Sequence, residues 1–253
     1  MPSSDREHIL IAVPALDYTN STNISHMLSI AQQKNMLPGN HKFTISTVEG
    51  VQGHALVRNE ISKIVLDGGF DRVWMIDDDI MPESDIFGLL DVNADIVAPL
   101  MPTLKWSATE NTFDFNIAYA AGAYKDIDDL SSSCDPELDG GGAIDVDMVG
   151  TGCTLVRRAV LEDERMRYES FDLDDGECPA IFRFHRKSNG AYLSGEDEDF
   201  SVRAKRLGYS VKLHTGIEVG HMKKINIAHI LKMKRYYQGC AASQPQQVAD
   251  AIT

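Results

Sequence analysis

The stretch VWMIDDDI at residues 73–80 decides how the rest of the chain is read. Four large apolar side chains, Val73, Trp74, Met75 and Ile76, run straight into three carboxylates, Asp77, Asp78 and Asp79. The apolar part, bounded by Asp71-Arg72 before it and Pro82 after it, predicts a buried strand. In open α/β sheets ligands collect outside the carboxyl ends of the strands, which is where these acids fall. If the chain stays extended past the sheet, Asp77 and Asp79 point to one side and Asp78 to the other. Like charges about 4 Å apart repel by roughly 4 kcal/mol at an effective dielectric near 20. The cluster therefore suits a bound cation. The plainer alternative is a solvated acidic turn that stops the strand.

Upstream the pattern is regular. Residues 9–13 (ILIAV) predict a first buried strand, with Pro14, Ala15 and Asp17 in the loop after it. Residues 21–34 carry apolar positions at helical spacing, residues 42–48 alternate as a strand, and residues 51–66 predict a helix closed by Gly68-Gly69. Downstream, Ser84 would cap a short helix to Leu90, and residues 95–98 predict another strand ended by Pro99. Strands alternating with helices over the first hundred residues imply βαβ units and a mostly parallel sheet flanked by helices, an α/β class.

The next part is less regular. Residues 101–142 have poor periodicity and read as an irregular insertion. Residues 145–149 predict a strand, and Gly150-Thr151-Gly152-Cys153 follows. The two glycines either let backbone approach a ligand or make a tight turn between strands. Residues 163–180 read as loop, and Phe182 and Phe184 suggest a strand. A second acidic group, GEDEDF at residues 195–200, opens a helix to about Leu207, with Ser194 as N-cap and Glu198 or Asp197 as its box partner. Acids there also suit the helix dipole, at ~0.3–1 kcal/mol each. After Gly208, residues 209–213 predict a strand, with His214 behind it and His221 further on. Residues 225–237 predict a basic helix.

Composition narrows the function classes. A chain of 253 residues with 43% hydrophobic and 25% charged residues supports a packed α/β domain. Its net charge of −14 disfavours general affinity for polyanions. Nucleic acid is therefore a partner only through the basic tail, and is not favoured there, since such a helix more often presents a solvated face. The four cysteines are scattered without a C-x-x-C pair, which argues against a zinc ribbon or disulfide framework. No basic-then-apolar leader and no apolar run of about 20 residues is present. The expectation is a soluble, cytoplasmic protein with no membrane span.

An acidic strand end, an acidic helix start and histidines after the next strand converge on one chemistry. Mg²⁺ and Mn²⁺ take oxygen ligands, and Mn²⁺ also accepts imidazole. Two carboxylates and a histidine with open positions would hold such a metal against a substrate's diphosphate, and a separate carboxylate could act as general base.

This order of parts resembles the GT-A class of nucleotide-sugar-dependent glycosyltransferases, most of all bacterial and phage members related to family 2. The resemblance rests on residues 9–14, Arg58-Asn59, the DxD-like Asp77-Asp78-Asp79, the GTGC segment, the GEDEDF stretch with Arg203 and Gly208-Tyr209, and His221. It implies a single GT-A-like, Rossmann-type domain over 1–253: a nucleotide-binding half at 1–100, an acceptor and metal half at 101–221, and a basic helix and tail at 222–253.

The implied function is metal-dependent transfer of a hexose-type sugar from a nucleotide diphosphate sugar, a UDP-sugar first, to an acceptor hydroxyl. Pro14, Ala15, Asp17 and Arg58 would contact the nucleotide, Asp77 would face its ribose or the metal-bound water, Asp78 would either lie at the nucleotide or only solvate the turn, and Gly150 and Gly152 would line the sugar or acceptor side. Asp77, Asp79 and His221 would hold Mn²⁺ or Mg²⁺, with His214 competing for the histidine role. Asp197 is the favoured base and Glu196 the alternative. Trp106 is the better candidate to stack on a sugar or base, and Trp74 the better core residue. The acceptor stays open among glycan, small molecule, protein and modified nucleobase. A sugar-phosphate nucleotidyltransferase is the nearest alternative, but residues 15–20 lack the glycine, lysine or arginine of its phosphate loop. A non-catalytic metal- or carbohydrate-binding module is the third, although the regular βα first half is unusual for one.

Overall fold

The computed structural model describes residues 6–15, 41–49, 51, 53–82, 86–107, 112–117, 119–120, 142–168, 170–173, 176–186 and 192–222. The expected helices at 21–34 and 225–237, together with Asp17 and Ser84, lie outside the described residues. All elements below belong to one compact unit, Met1–His221.

The sheet begins with Glu7–Ala15 (β1) and His41–Glu49 (β2), which pair in parallel along their whole length. Arg72–Ile76 (β3) runs parallel on the other side of β1. The strand β1 outlasts its predicted end, so Pro14 and Ala15 belong to the strand rather than to a following loop. Proline is tolerated because β3 pairs only with residues 9–12, and Pro14 borders β2 alone.

From β3 the sheet departs from the expected parallel order. Cys153–Arg157 (β11) inserts antiparallel between β3 and Ile96–Leu100 (β5). Val211–His221 (β16) pairs parallel with β5, and antiparallel with both Ile80–Pro82 (β4) and Ala143–Asp145 (β9). The order is β2-β1-β3-β11-β5-β16-β4, with β9 also on β16. The sheet is therefore mixed. Strand direction is fixed by long-range partners that a local pattern does not encode.

Stretches read as loop contain paired strands. Pro102–Ser107 (β6) pairs with Thr112–Ile117 (β7), and Tyr119–Ala120 (β8) with Met148–Val149 (β10). The single strand expected at 145–149 is thus split between β9 and β10. Ser170–Leu173 (β12) pairs with Gly176–Pro179 (β13), and His185–Arg186 (β14) with Tyr192–Ser194 (β15). Phe182 and Phe184 lie between strands. Phe182 is buried and stacks on Phe200 at 4.3 Å, while Phe184 is exposed.

Helices are few among the described residues. His54–Gly68 (α1) turns Val57, Ile61 and Val65 inward, one turn apart. It ends at Gly69, whose left-handed φ of 66° suits glycine. Arg158, which opens the short helix Arg158–Glu162 (α2), donates to the terminal carbonyls of Val65 at 2.7 Å and Leu66 at 2.8 Å. The helix predicted after Ser84 is a 3-10 segment, Ile86–Asp91. The helix of the second acidic group, Glu196–Arg206 (α3), is capped by Gly195 rather than Ser194.

Both faces of the sheet are covered. Val73 and Met75 pack with α1, α2 and α3, while Trp74 and Ile76 pack on the opposite face with Ile86 and Leu89. Such two-sided burial is why β3 reads as an unbroken apolar run. Trp74 is fully buried, the core role expected of it. No helix among the described residues is long and apolar enough to cross a membrane.

Candidate active site

The three acids do not continue β3. Ile80 N–H donates to the Asp77 carbonyl at 3.0 Å, closing a turn that reverses the chain into β4. The extended alternation expected for Asp77, Asp78 and Asp79 is replaced by separate destinations for Asp77 and Asp79.

Asp77 faces α1. Arg58 Nη2 donates to Asp77 Oδ1 at 2.8 Å and Oδ2 at 3.1 Å. Asp77 N–H donates to the Gly152 carbonyl at 2.8 Å. A Cβ at position 152 would stand 2.8 Å from Met101 Sδ and 3.3 Å from Asp77 Oδ2. Glycine there lets the turn before β11 lie against the end of β3, which gives the G-x-G spacing a packing reason. Gly150 anchors the same turn, its carbonyl accepting from Thr154 Oγ1 at 2.6 Å.

Asp79 faces β16. His221 Nε2 lies 3.1 Å from Asp79 Oδ2, and both side chains remain partly open to solvent. The contact follows from strand register. β16 does not stop at Leu213 as predicted: after pairing His214 with Pro99 it bulges, resumes at Glu218 opposite Leu100, and ends with His221 opposite Ile80. Ile80 immediately follows Asp79. His214 lies on the near side of the bulge, where Nδ1 accepts from Gly216 N–H at 3.2 Å.

The second acidic group divides by partner. Glu198 Oε2 accepts from Gly195 N–H at 2.9 Å and caps α3. Asp199, fully buried, accepts from Tyr168 Oη at 2.7 Å and from Arg203 Nη2 at 3.0 Å, and lies 2.7 Å from His185 Nε2. Those two acids hold structure. Glu196 is buried, with Oε1 3.9 Å from Arg58 Nε. Burial raises its pKa above the ordinary glutamate value, the Asp197 charge raises it further, and Arg58 and His54 pull it back. Asp197 is also raised by burial, against the Glu198 N–H and Arg58, which favour its charged form. A carboxylate whose pKa lies nearer neutrality is a better proton acceptor.

Asp79 and His221 therefore meet, and Asp77, Arg58 and Glu196 form an adjoining chain that reaches the Asp197 end of α3. Pro14 and Ala15 sit at the carboxyl end of β1. Trp106 lies in β6 opposite Phe113, and its side chain is outside the described residues. Among the described residues no group of three or more histidine, cysteine, aspartate or glutamate side chains is drawn together as a metal shell. Sequence reading missed the work of Asn59. Its Oδ1 accepts from Ile181 N–H at 2.9 Å and Phe182 N–H at 2.8 Å, and its Nδ2 donates to the Phe182 carbonyl at 2.9 Å. A polar Asn beside the buried Arg58 on the inward side of a helix was the available signal.

No family model and no curated protein matches the sequence. Among solved structures the chain is similar to A197 from STIV, at 13% identity and a TM-score of 0.49 over 86% of each chain. It is similar to GalNAc-T7 with UDP, GalNAc and Mn²⁺, at 8% identity and 0.42, over 89% of this chain and 45% of that one. It is also similar to a mutant Drosophila β-1,4-galactosyltransferase 7 in complex with manganese, UDP-Gal and xylobiose, at 16% identity and 0.44, over 86% and 71%.

Proposed function

We propose that the chain is a metal-dependent glycosyltransferase that moves a sugar from a nucleoside diphosphate donor to an acceptor hydroxyl. The observation that carries this reading is the Asp79–His221 pair, set at strand ends next to the Arg58–Asp77 contact. One carboxylate and one imidazole, both partly open, are a donor set that Mn²⁺ accepts, with the remaining positions left for diphosphate oxygens and water. Bound there, the cation would supply charge neutralisation to the departing diphosphate.

The chain's own residues account for the rest. Asp197 takes the proton of the acceptor hydroxyl as its oxygen bonds to the anomeric carbon. The bond from that carbon to the diphosphate oxygen breaks, and the nucleoside diphosphate leaves with the electron pair. Desolvation raises the Asp197 pKa above the ordinary aspartate value, which makes it a stronger proton acceptor. Gly152 and Met101 wall the site beside Asp77.

A thermal-shift panel of nucleotide-sugars, with and without Mn²⁺, tests this. Ligand at 100 times its Kd stabilises by about 2.7 kcal/mol, which for a chain of this size is a rise of roughly 5–10 °C. The rise is expected for one or a few nucleoside diphosphate sugars and only with the metal. A flat panel in both conditions overturns the reading.

A further inference from the structure

Arg58 is 2% exposed and projects from the second turn of α1. Each edge of its guanidinium is already directed at the protein. Nη2 binds both oxygens of Asp77, Nη1 lies 4.0 Å from Met75 Sδ, and Nε, which has no hydrogen-bond partner, lies 3.9 Å from Glu196 Oε1. A base or phosphate would have to displace Asp77 to reach Nη2, and the side chain as a whole is buried. Asp77 closes β3 and Glu196 opens α3, so this one side chain spans the two acidic stretches that the sequence keeps far apart. The Asp77 backbone is held by the Gly152 carbonyl, and that of Glu196 by its place in the first turn of α3.

We propose that Arg58 is a positioning residue that sets the Asp77 and Glu196 carboxylates through a shared buried guanidinium, without itself touching the nucleotide. Guanidinium stays charged in any protein setting, so burying it demands acids close by. Glu196 is the second acid beside it. The claim about the nucleotide rests on the glycosyltransferase reading. The link between the two acids does not.

The test is a set of double-mutant cycles among Asp77→Asn, Glu196→Gln and Arg58→Gln, read by urea denaturation and by calorimetric affinity for UDP in Mn²⁺. Arg58→Lys keeps the charge and serves as the conservative variant. In denaturation, Asp77→Asn and Glu196→Gln are expected to be non-additive with Arg58 present and additive in the Arg58→Gln background. In calorimetry, Glu196→Gln is expected to weaken UDP several-fold, Arg58→Gln by at least tenfold, and Arg58→Lys by less than Arg58→Gln. Asp77→Asn and Glu196→Gln proteins that both bind UDP as the wild type does, beside an Arg58→Gln protein that does not, would mean that Arg58 meets the nucleotide directly, and would overturn the proposal. Additivity in all backgrounds overturns it as well. If Arg58→Gln does not fold, Arg58→Lys carries both cycles, its single ammonium being unable to serve both acids, so additivity is again expected. If wild type binds no nucleotide at all, the glycosyltransferase reading fails, while the denaturation cycles still decide whether Arg58 joins the two acids.

Discussion

His221 Nε2 lies 3.1 Å from Asp79 Oδ2 across 142 positions of sequence, and the contact is made by backbone register. β16 ends opposite the first residue of β4, and Asp79 is the residue before it. His221 is thus held at the end of a strand and Asp79 in the tight turn that leads into β4, which favours a fixed donor geometry.

Either member of that pair should be indispensable to metal-assisted nucleotide binding. Asp79→Ala and His221→Ala are each expected to lower UDP affinity in Mn²⁺ by more than the ~10–100-fold that loss of an outer-shell partner costs, and to bring it down to the metal-free value. Calorimetry with and without Mn²⁺ measures this. Unchanged affinity in Mn²⁺ would remove the metal from this pair.

The extent to which the site was legible follows from how local each signal is. β3 and its acids could be read because a strand buried on both faces must be apolar throughout, so its polar end stands out. The acidic start of α3 could be read because acids and a capping box suit the first turn of a helix. The reach of β16 could not be read as far as His221, because His214-Thr215-Gly216 looks like a loop and is a bulge within the strand. The antiparallel insertion of β11 was hidden because strand direction is settled by partners distant in sequence. Arg58 was recognised as a site residue, but its partners come from the turn after β3 and from α3, and no spacing within α1 names them.

Glu196 should make stability depend on pH in a defined sense. Its folded pKa is raised, chiefly by burial, so the folded state holds a proton that the unfolded state has already released. That contribution is full below the ordinary glutamate pKa and is lost as pH rises through the folded value. Glu196→Gln, which cannot ionise, is therefore expected to gain stability relative to wild type as pH is raised from the acid side towards neutrality. Each pKa unit of difference corresponds to about 1.4 kcal/mol. Urea midpoints across that range measure it, and a gap that stays constant with pH would contradict it.

Gly69→Ala tests the end of the helix that carries Arg58. At φ 66° an L residue is strained, by roughly 1–2 kcal/mol. Unfolding free energy should fall by that amount, read as a lower urea midpoint with the slope unchanged, and UDP affinity should hold, since Arg158 still binds the last carbonyls of α1.

Gly152→Ala should do the reverse. Its new methyl group meets the flexible end of Met101 at 2.8 Å and the Asp77 carboxylate at 3.3 Å. Met101 can swing away at modest cost, whereas Asp77 is held by Arg58. Stability is expected to change little, while UDP affinity in Mn²⁺ falls. Equal affinity would show that the Gly150–Gly152 turn is spaced for packing alone.

Asp197→Asn separates chemistry from binding. The substitution keeps size and hydrogen-bonding shape but removes the proton acceptor, whose Oδ1 takes the Glu198 N–H at 2.8 Å. General-base assistance is worth about 10²–10⁴-fold in rate, so kcat should drop by that factor while UDP affinity stays close to that of the wild type. The wild-type rate should rise with pH through a titration above the ordinary aspartate range, because burial raises Asp197, and the Asn variant should lack that rise. Glu196→Gln is the control: as the counter-ion of Arg58 it should alter UDP affinity and leave the rise in place. If the rise vanishes with Glu196→Gln and survives Asp197→Asn, the two acids exchange roles.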